Sequence, residues 1–394
     1  MKSSPVKLAV VGGNRGRAFN STLDYLKDKV SLTCICDTDT EKIAAWQKEF
    51  SGIIGYASYD EMLEKGDFDA VFIATPIDLH FEQSIKALRA GKHVLCEVYA
   101  ANTLAELNQL VATVKETGRV YAMAENYVFM RPNMLVLNMV QQGAFGDITY
   151  AEGAYIHDCR PLRFNEKGEI TWRGEMFRHM RCNTYPTHSL GPVAKWMGLT
   201  EHDHMKTLSC FISRQSGLNE YVREKFGPEH PSLKPGYWKY GDSCTTVIEC
   251  TSGAIITMRL DDDSPRPHNM CHYVLQGDRA SYLSGRHDGE DGLVWAKGVS
   301  SENADGTAKD WDNLYKHAYK YEHPAWAAHM AAARKLGHGG GDFFVLDDFA
   351  DAILTGRRPF IDVVDAAAWS SVVALSAESV ALGGAPVLMP GFSR

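Results

Sequence analysis

The chain has no C-x-x-C pair, and its nine cysteines are scattered. That removes the usual thiol metal and redox motifs, and an odd, dispersed set suggests reduced thiols in a cytoplasmic protein. Cys34 and Cys36 share one strand-like run and read as small core residues. No apolar run of ~18 residues suited to a membrane span is expected, and no signal peptide is read from Met1-Lys2-Ser3-Ser4-Pro5, which leads straight into a strand-like run. A long basic block is also missing, and the net charge is -8. Both argue against nucleic acid or an anionic membrane as the main partner. There is no H-E-x-x-H or Cys/His zinc spacing, so His202-Asp203-His204 and His157-Asp158 read as solvated loop and no metal is expected. A G-x-S-x-G nucleophile elbow is absent too.

What is present is an ordinary globular composition, 45% hydrophobic and 23% charged, in 394 residues, enough for two domains. Lys7 to Val11 is an apolar run that ends in Gly12-Gly13-Asn14-Arg15-Gly16, and an amphipathic pattern follows to about Lys27. Strand, glycine turn and helix form the context of a dinucleotide fingerprint, although the strict G-x-G-x-x-G spacing is not met. Glycines let backbone amides approach a pyrophosphate, and a helix N-terminus favours its charge. A second strand, Ser31 to Cys36, ends in Asp37. A carboxylate there can accept from ribose hydroxyls and would repel a 2′-phosphate, which favours NAD over NADP; a turn or helix cap is the other reading.

Strands over 70–74, 92–96 and 119–124 alternate with helices over 59–65, from His80, and over 104–116. Such alternation implies a parallel, doubly wound sheet whose ligands sit at strand carboxyl ends. Polar residues fall there: Thr75, Glu97, Glu125 and Asn126. After residue 127 the pattern changes. A helix over 132–142 precedes strands over 148–155, 207–214, 242–249, 254–260 and 270–276. Successive strands with few helices between them predict an antiparallel sheet. Residues 159–181, 215–241 and 298–323 read as loops, and 343–354 and 365–382 as closing helices. In between, Tyr185 and His188 stand three residues apart before an apolar helical run to Trp196. That spacing would aim a phenol and an imidazole the same way, one a proton donor and the other a base.

The segments Asn14-Arg15-Gly16, Ala74-Thr75-Pro76 with His80, Gly91 to Glu97 and Ala124-Glu125-Asn126-Tyr127 resemble the Gfo/Idh/MocA oxidoreductases. The resemblance implies an α/β Rossmann domain (1–126) followed by an α+β domain (127–394) with an open-faced, mostly antiparallel sheet. It also implies that Arg15, Asp37, Thr75, His80, Glu97 and Asn126 contact a nicotinamide cofactor, and that the chain forms a homodimer or homotetramer. One departure matters. Where the family has Glu-Lys-Pro, with a lysine that assists proton transfer, this chain has Glu97-Val98-Tyr99. Valine can neither donate nor accept a proton.

Asn183 to Pro192 and His338-Gly339-Gly340-Gly341-Asp342-Phe343 are similar to motifs of the NAD-dependent glycoside hydrolases typified by α-N-acetylgalactosaminidase. That branch also carries valine in place of the lysine. Tyr99 and Gly341 stand where it commonly has proline and methionine, so the sugar is not carried over. No spacing here identifies the carboxylate pair of a direct glycosidase, and NAD-dependent glycosidases need none. The resemblance implies oxidation at sugar C3, loss of the acidified C2 proton with departure of the C1 substituent, water addition and re-reduction. His188 is then expected to be the base, with Tyr185 positioning the sugar. Glu125, His157, His338 and Asp342 are expected as further substrate contacts. A plain NAD(P)-dependent sugar or polyol dehydrogenase and a non-catalytic NAD(P)-binding sensor remain alternatives.

Overall fold

The computed structural model describes residues 4–267, 271–287 and 289–394. Met1 to Ser3 and Met270, the first residue of one expected strand, lie outside them. The chain divides into two compact units, one of 1–131, 324–370 and 392–394, the other of 132–323 and 371–391. This differs from the expected 1–126 and 127–394, because the chain re-enters the first unit after residue 323.

In the first unit, among the described residues, six strands lie in the order β3-β2-β1-β4-β5-β6, every pair parallel. They are β1 (Val6–Val11), β2 (Val30–Cys36), β3 (Ile54–Tyr56), β4 (Ala70–Ile73), β5 (His93–Cys96) and β6 (Tyr121–Met123). β4 is buried at every position, as expected for a central strand covered on both faces. The helix Leu104–Thr117 starts in a Thr103/Glu106 capping box and stops at Gly118, whose φ is 62°. The returning segment is pinned by Trp326, whose Nε1 donates to the Phe129 carbonyl at 2.8 Å and whose ring lies 5.0 Å from that of Phe344. This packing between distant parts of the chain leaves no local signature, so the re-entry was not foreseeable from pattern.

Among the described residues, the second unit holds nine strands in the order β14-β13-β12-β11-β7-β10-β9-β8-β15. They are β7 (Ile148–Ile156), β8 (Met205–Ile212), β9 (Ser243–Cys250), β10 (Ile255–Asp261), β11 (Cys271–Gly277), β12 (Ala280–Leu283), β13 (Leu293–Ala296), β14 (Asp312–Asn313) and β15 (Val387–Leu388). Among these described strands, β7 and β10 pair in parallel and the other pairs are antiparallel. Across β9 and β10 burial alternates, the mark of a sheet with one covered and one open face. The helix Thr187–Met197 packs on β7 at Gly153, where a Cβ would come within 2.0 Å of the Ser189 carbonyl oxygen.

Several expectations change. The segment after the glycine turn is not one helix to Lys27 but a short α-turn (Gly13–Gly16), a 3-10 turn (Arg17–Phe19) and a helix (Asn20–Tyr25). The break lets Phe19 meet Phe72 edge-on at 4.7 Å. Residues 159–181 contain the helix Trp172–His179, whose start is capped by Thr171. Residues 215–241 contain the helix Gly217–Phe226, which buries Leu218 and Val222 with Phe164. Their polar faces hid a narrow apolar stripe. The helix Val363–Ala381 is long and apolar enough to cross a membrane, with a mean hydropathy of 1.3, contrary to the reading that no such run exists. It is 78% buried within the protein, as a core helix would be.

Candidate active site

The expected site residues fall into two groups, one in each unit. In the first unit the group begins at the glycine turn. Gly12 has φ 92°, and a Cβ there would lie 2.4 Å from the Ala74 carbonyl oxygen, so only glycine fits. The Gly13 amide donates to Asp37 Oδ2 at 2.7 Å, and the Asp39 amide donates to Asp37 Oδ1 at 2.9 Å. Each Asp37 oxygen keeps a lone pair for a hydroxyl donor. Trp46 was not expected here. It is buried, its Nε1 donates to the Gly13 carbonyl at 2.8 Å, and its ring fills the space beside Gly13 and Gly16. The helix that carries it, Thr40–Glu49, was not foreseen either.

Arg15 pairs with Glu97 at 2.7 Å, with the carboxylate nearly buried. Asn14 is exposed on the same turn. Val98 and Tyr99 are both buried, so the position of the family's lysine is apolar and closed. Thr75 donates its hydroxyl to Gln83 at 2.7 Å.

His80 is a correction. It is buried, with Nδ1 2.8 Å from the Tyr99 carbonyl and Nε2 2.9 Å from the Thr75 carbonyl. A ring facing two carbonyls satisfies both only by donating from both nitrogens. Burial alone would lower its pKa, but Cys96 and the two carbonyls outweigh that and raise it to about 9. His80 therefore ties two strand ends together and keeps no ring nitrogen for a ligand.

Glu125 is a second correction. It is fully buried, and its Oε1 accepts the Tyr127 amide at 3.1 Å, capping the 3-10 turn Asn126–Phe129. With no exposed surface, it acts here as the cap of that turn. Asn126 is buried too. Its Nδ2 donates to Asp342 Oδ1 at 2.8 Å, while its Oδ1 is buried without a donor. Asp342 Oδ2 lies 2.8 Å from His338 Nδ1. The structure thus places Asn126, Asp342 and His338 in one chain, and places Asp342, with no exposed surface, behind the other two.

These features fit a dinucleotide. They provide a turn closed to any Cβ, a carboxylate with spare lone pairs at the end of the second strand, and a buried acceptor without a donor. The residues that would hold it are the Gly12–Gly16 turn, Asp37, Arg15, Glu97 and Asn126.

The second unit carries an aromatic cluster. Tyr185 precedes the Thr187–Met197 helix, so the pair does not share a helical face as its spacing suggested. The two rings still meet, with centroids 4.9 Å apart at 89°. Tyr155 on β7 joins them and was missed, lying 5.2 Å from Tyr185, 5.3 Å from His188 and 5.8 Å from His157. Edge-to-face contacts of this kind fix ring orientation. The Tyr273 hydroxyl, also missed, donates to the His188 carbonyl at 2.6 Å. Gly153 was the available signal, since an isolated glycine inside a strand marks a close backbone approach. It lets the first turn of the helix sit directly on β7, which sets His188 against Tyr155. His157 follows the end of β7 and is half-buried. The His202-Asp203-His204 stretch is a turn anchor, in which Asp203 accepts from Thr251, Ser252 and the His204 amide.

Residues 6–125 match the family model described as oxidoreductase family, NAD-binding Rossmann fold, and residues 129–394 match glycosyl hydrolase 109, C-terminal domain. A glycosyl hydrolase family 109 protein of Solibacter usitatus is 34% identical over 99% of this chain and 88% of its own length. An alpha-N-acetylgalactosaminidase of Tannerella forsythia is 32% identical over 86% of this chain and 74% of its own length. Among solved structures, an apo levoglucosan dehydrogenase superposes with a TM-score of 0.80 at 21% identity, covering 99% of this chain and all of the other.

Proposed function

Since this chain belongs to glycosyl hydrolase family 109 and is an NAD-dependent carbohydrate enzyme on a Gfo/Idh/MocA frame, we propose that it is a glycosidase that works by transient oxidation of its sugar at C3. The observation that carries this reading is the Tyr155–Tyr185–His188 cluster, an imidazole oriented by two phenols, in a chain whose lysine position is filled by the buried Val98. Bound NAD supplies a hydride acceptor that each turnover regenerates.

The remaining chemistry falls to side chains. Once C3 is a ketone, the C2 proton is acidic, and His188 takes it as the C1–O bond breaks. Histidine starts near the pKa at which a base and its conjugate acid are both useful. Tyr185 orients the sugar hydroxyls by hydrogen bonding, and Tyr155 keeps both rings in place. Water then gives its hydroxyl to C1 while His188 returns the proton to C2, and the water's remaining proton goes to the departed alkoxide. His157 supports the reading as a further polar group in contact with Tyr155. Arg15 and Glu97 hold the dinucleotide, and Asp37 selects against a 2′-phosphate.

The test uses a panel of p-nitrophenyl glycosides with and without added NAD, following nitrophenol and NADH together. Aglycone release without net NADH is expected. Stoichiometric NADH would replace this reading with a dehydrogenase, and NAD binding without turnover would leave a sensor. The same reading includes a homodimer or homotetramer built on the open face of the second sheet, where Phe211 is 59% exposed on β8. Light scattering during size exclusion reads the mass directly.

A further inference from the structure

Asp342 was expected to touch substrate, yet it has no exposed surface. Its two oxygens are each engaged by a donor, Asn126 Nδ2 at 2.8 Å and His338 Nδ1 at 2.8 Å. A carboxylate that only accepts decides the orientation of both neighbours. Facing it, the Asn126 amide must present nitrogen, so its oxygen is turned away, and that oxygen is the buried acceptor without a donor. Facing it, the His338 ring must carry its proton on Nδ1, which leaves Nε2 as the lone-pair nitrogen. The His338 side chain is 30% exposed.

The backbone is shaped for this arrangement. His338, Gly339 and Gly340 take φ values of 48°, 58° and 93° in succession. A left-handed histidine is uncommon, and such outliers gather at functional sites. A Cβ on Gly341 would lie 2.3 Å from the Asn126 carbonyl oxygen, and one on Gly337 would lie 2.3 Å from Asp342 Oδ2. Two glycines therefore let the carboxylate come between its partners. Asp342 also sits in the first turn of the helix Gly341–Thr355, where the helix dipole favours its charge.

We propose that Asp342 is a positioning residue serving two groups at once: it leaves the Asn126 oxygen as the acceptor offered to the cofactor, and it holds His338 as the tautomer whose Nε2 accepts from a sugar hydroxyl. The sugar half of this assignment rests on the glycosidase reading; the tautomer and the Asn126 orientation do not.

The test compares the full-length protein with D342N and H338Q. NAD affinity is measured by calorimetry on NAD-stripped protein, ring tautomers by nitrogen NMR of histidine-labelled protein, and kcat by aglycone release. D342N is expected to weaken NAD about tenfold and to shift His338 away from the Nδ1–H tautomer, as loss of an orienting partner does. H338Q should bind NAD within about twofold of wild type and lower kcat about 100-fold. Rescue of NAD affinity by D342E would confirm the carboxylate. A D342N protein with unchanged NAD affinity and an unchanged His338 tautomer would overturn the assignment. So would an H338Q enzyme with wild-type kcat. If D342N does not fold, the wild-type spectrum decides, since His338 protonated on Nε2 is incompatible with this role. If wild-type protein releases no aglycone, the glycosidase reading fails while the NAD and tautomer measurements still judge Asp342.

Discussion

The two units prepare their parts of the chemistry by different physical means. In the first, polar groups hold one another: Asp37 takes the Gly13 amide, Arg15 pairs with Glu97, His80 spans two carbonyls, and Asp342 links Asn126 to His338. In the second, rings hold one another: Tyr155, Tyr185, His188 and His157 stack and cross, and one hydroxyl from Tyr273 secures the backbone beneath them. Hydrogen-bonded groups are exacting about partner and charge. Packed rings are exacting about volume and tolerant of chemistry. The first unit should therefore fail when a charge or an acceptor changes, and the second when space changes.

That contrast can be broken experimentally, and the largest effect is expected at the base. His188→Ala should lower kcat by about 10³-fold on an active glycoside, within the range for a lost general base, while bound NAD survives desalting. Loss of NAD together with activity would show that the two preparations are not separable. Next comes Gly12→Ala. It places a Cβ 2.4 Å from the Ala74 carbonyl oxygen and forces a left-handed φ on alanine. About 1–3 kcal/mol of stability and most NAD affinity should go, read by thermal melting and calorimetry. Unchanged NAD affinity would remove the turn from the binding site.

Gly153→Ala is the counterpart in the second unit. Its Cβ would come within 2.0 Å of the Ser189 carbonyl oxygen. Overpacking costs about 1–3 kcal/mol, and kcat should fall about tenfold as His188 moves, with NAD affinity unchanged.

A pH measurement sharpens the comparison, because the second unit also holds a buried ion cluster. Arg163 sits buried between Asp262 at 2.7 Å and Asp263 at 3.2 Å. Burial, opposed by Arg163 and assisted by Asp262, raises the Asp263 carboxyl to about 8. A raised carboxyl favours the fold while protonated, so this contribution is present at low pH and is lost as pH rises through about 8. Between pH 7 and pH 9 about 1 kcal/mol should disappear, and Asp263→Asn should flatten that slope in thermal melts. A slope unchanged by the substitution would assign the loss elsewhere. The smallest effect is expected from Asp37→Asn, which should narrow the preference for NAD over NADP about tenfold, read as the ratio of Kd values. An unchanged ratio would leave Asp37 as a turn residue only.

Much of the first unit was legible because its signals are local. Gly12, Gly13 and Gly16 mark a turn by what their backbone permits, and β1, β2 and β4 announce themselves as apolar runs beside it. The short β4, β5 and β6 were still legible from their alternation with helices, but five other short strands were not. β3, β12, β13, β14 and β15 offer too few alternations for a period to show. In the site, Tyr185 and His188 were found from spacing, although the helical face they were expected to share does not exist. Tyr155 was missed because a buried tyrosine on a strand looks like any core aromatic until its neighbours are known.

Local conformation therefore belongs to the amino-acid order alone: where glycine is obligatory, where an apolar period of two or of 3.6 holds, and where a carboxylate closes a strand. The pairing of groups far apart in the chain does not. Asn126 meets Asp342 across 216 residues, and His188 meets Tyr155 only because Gly153 admits a helix onto β7. Orientation of an amide, the tautomer of an imidazole and the burial of Glu125 all follow from such meetings. They are properties of close packing and buried hydrogen bonding, which act between surfaces that exist only once the chain has folded.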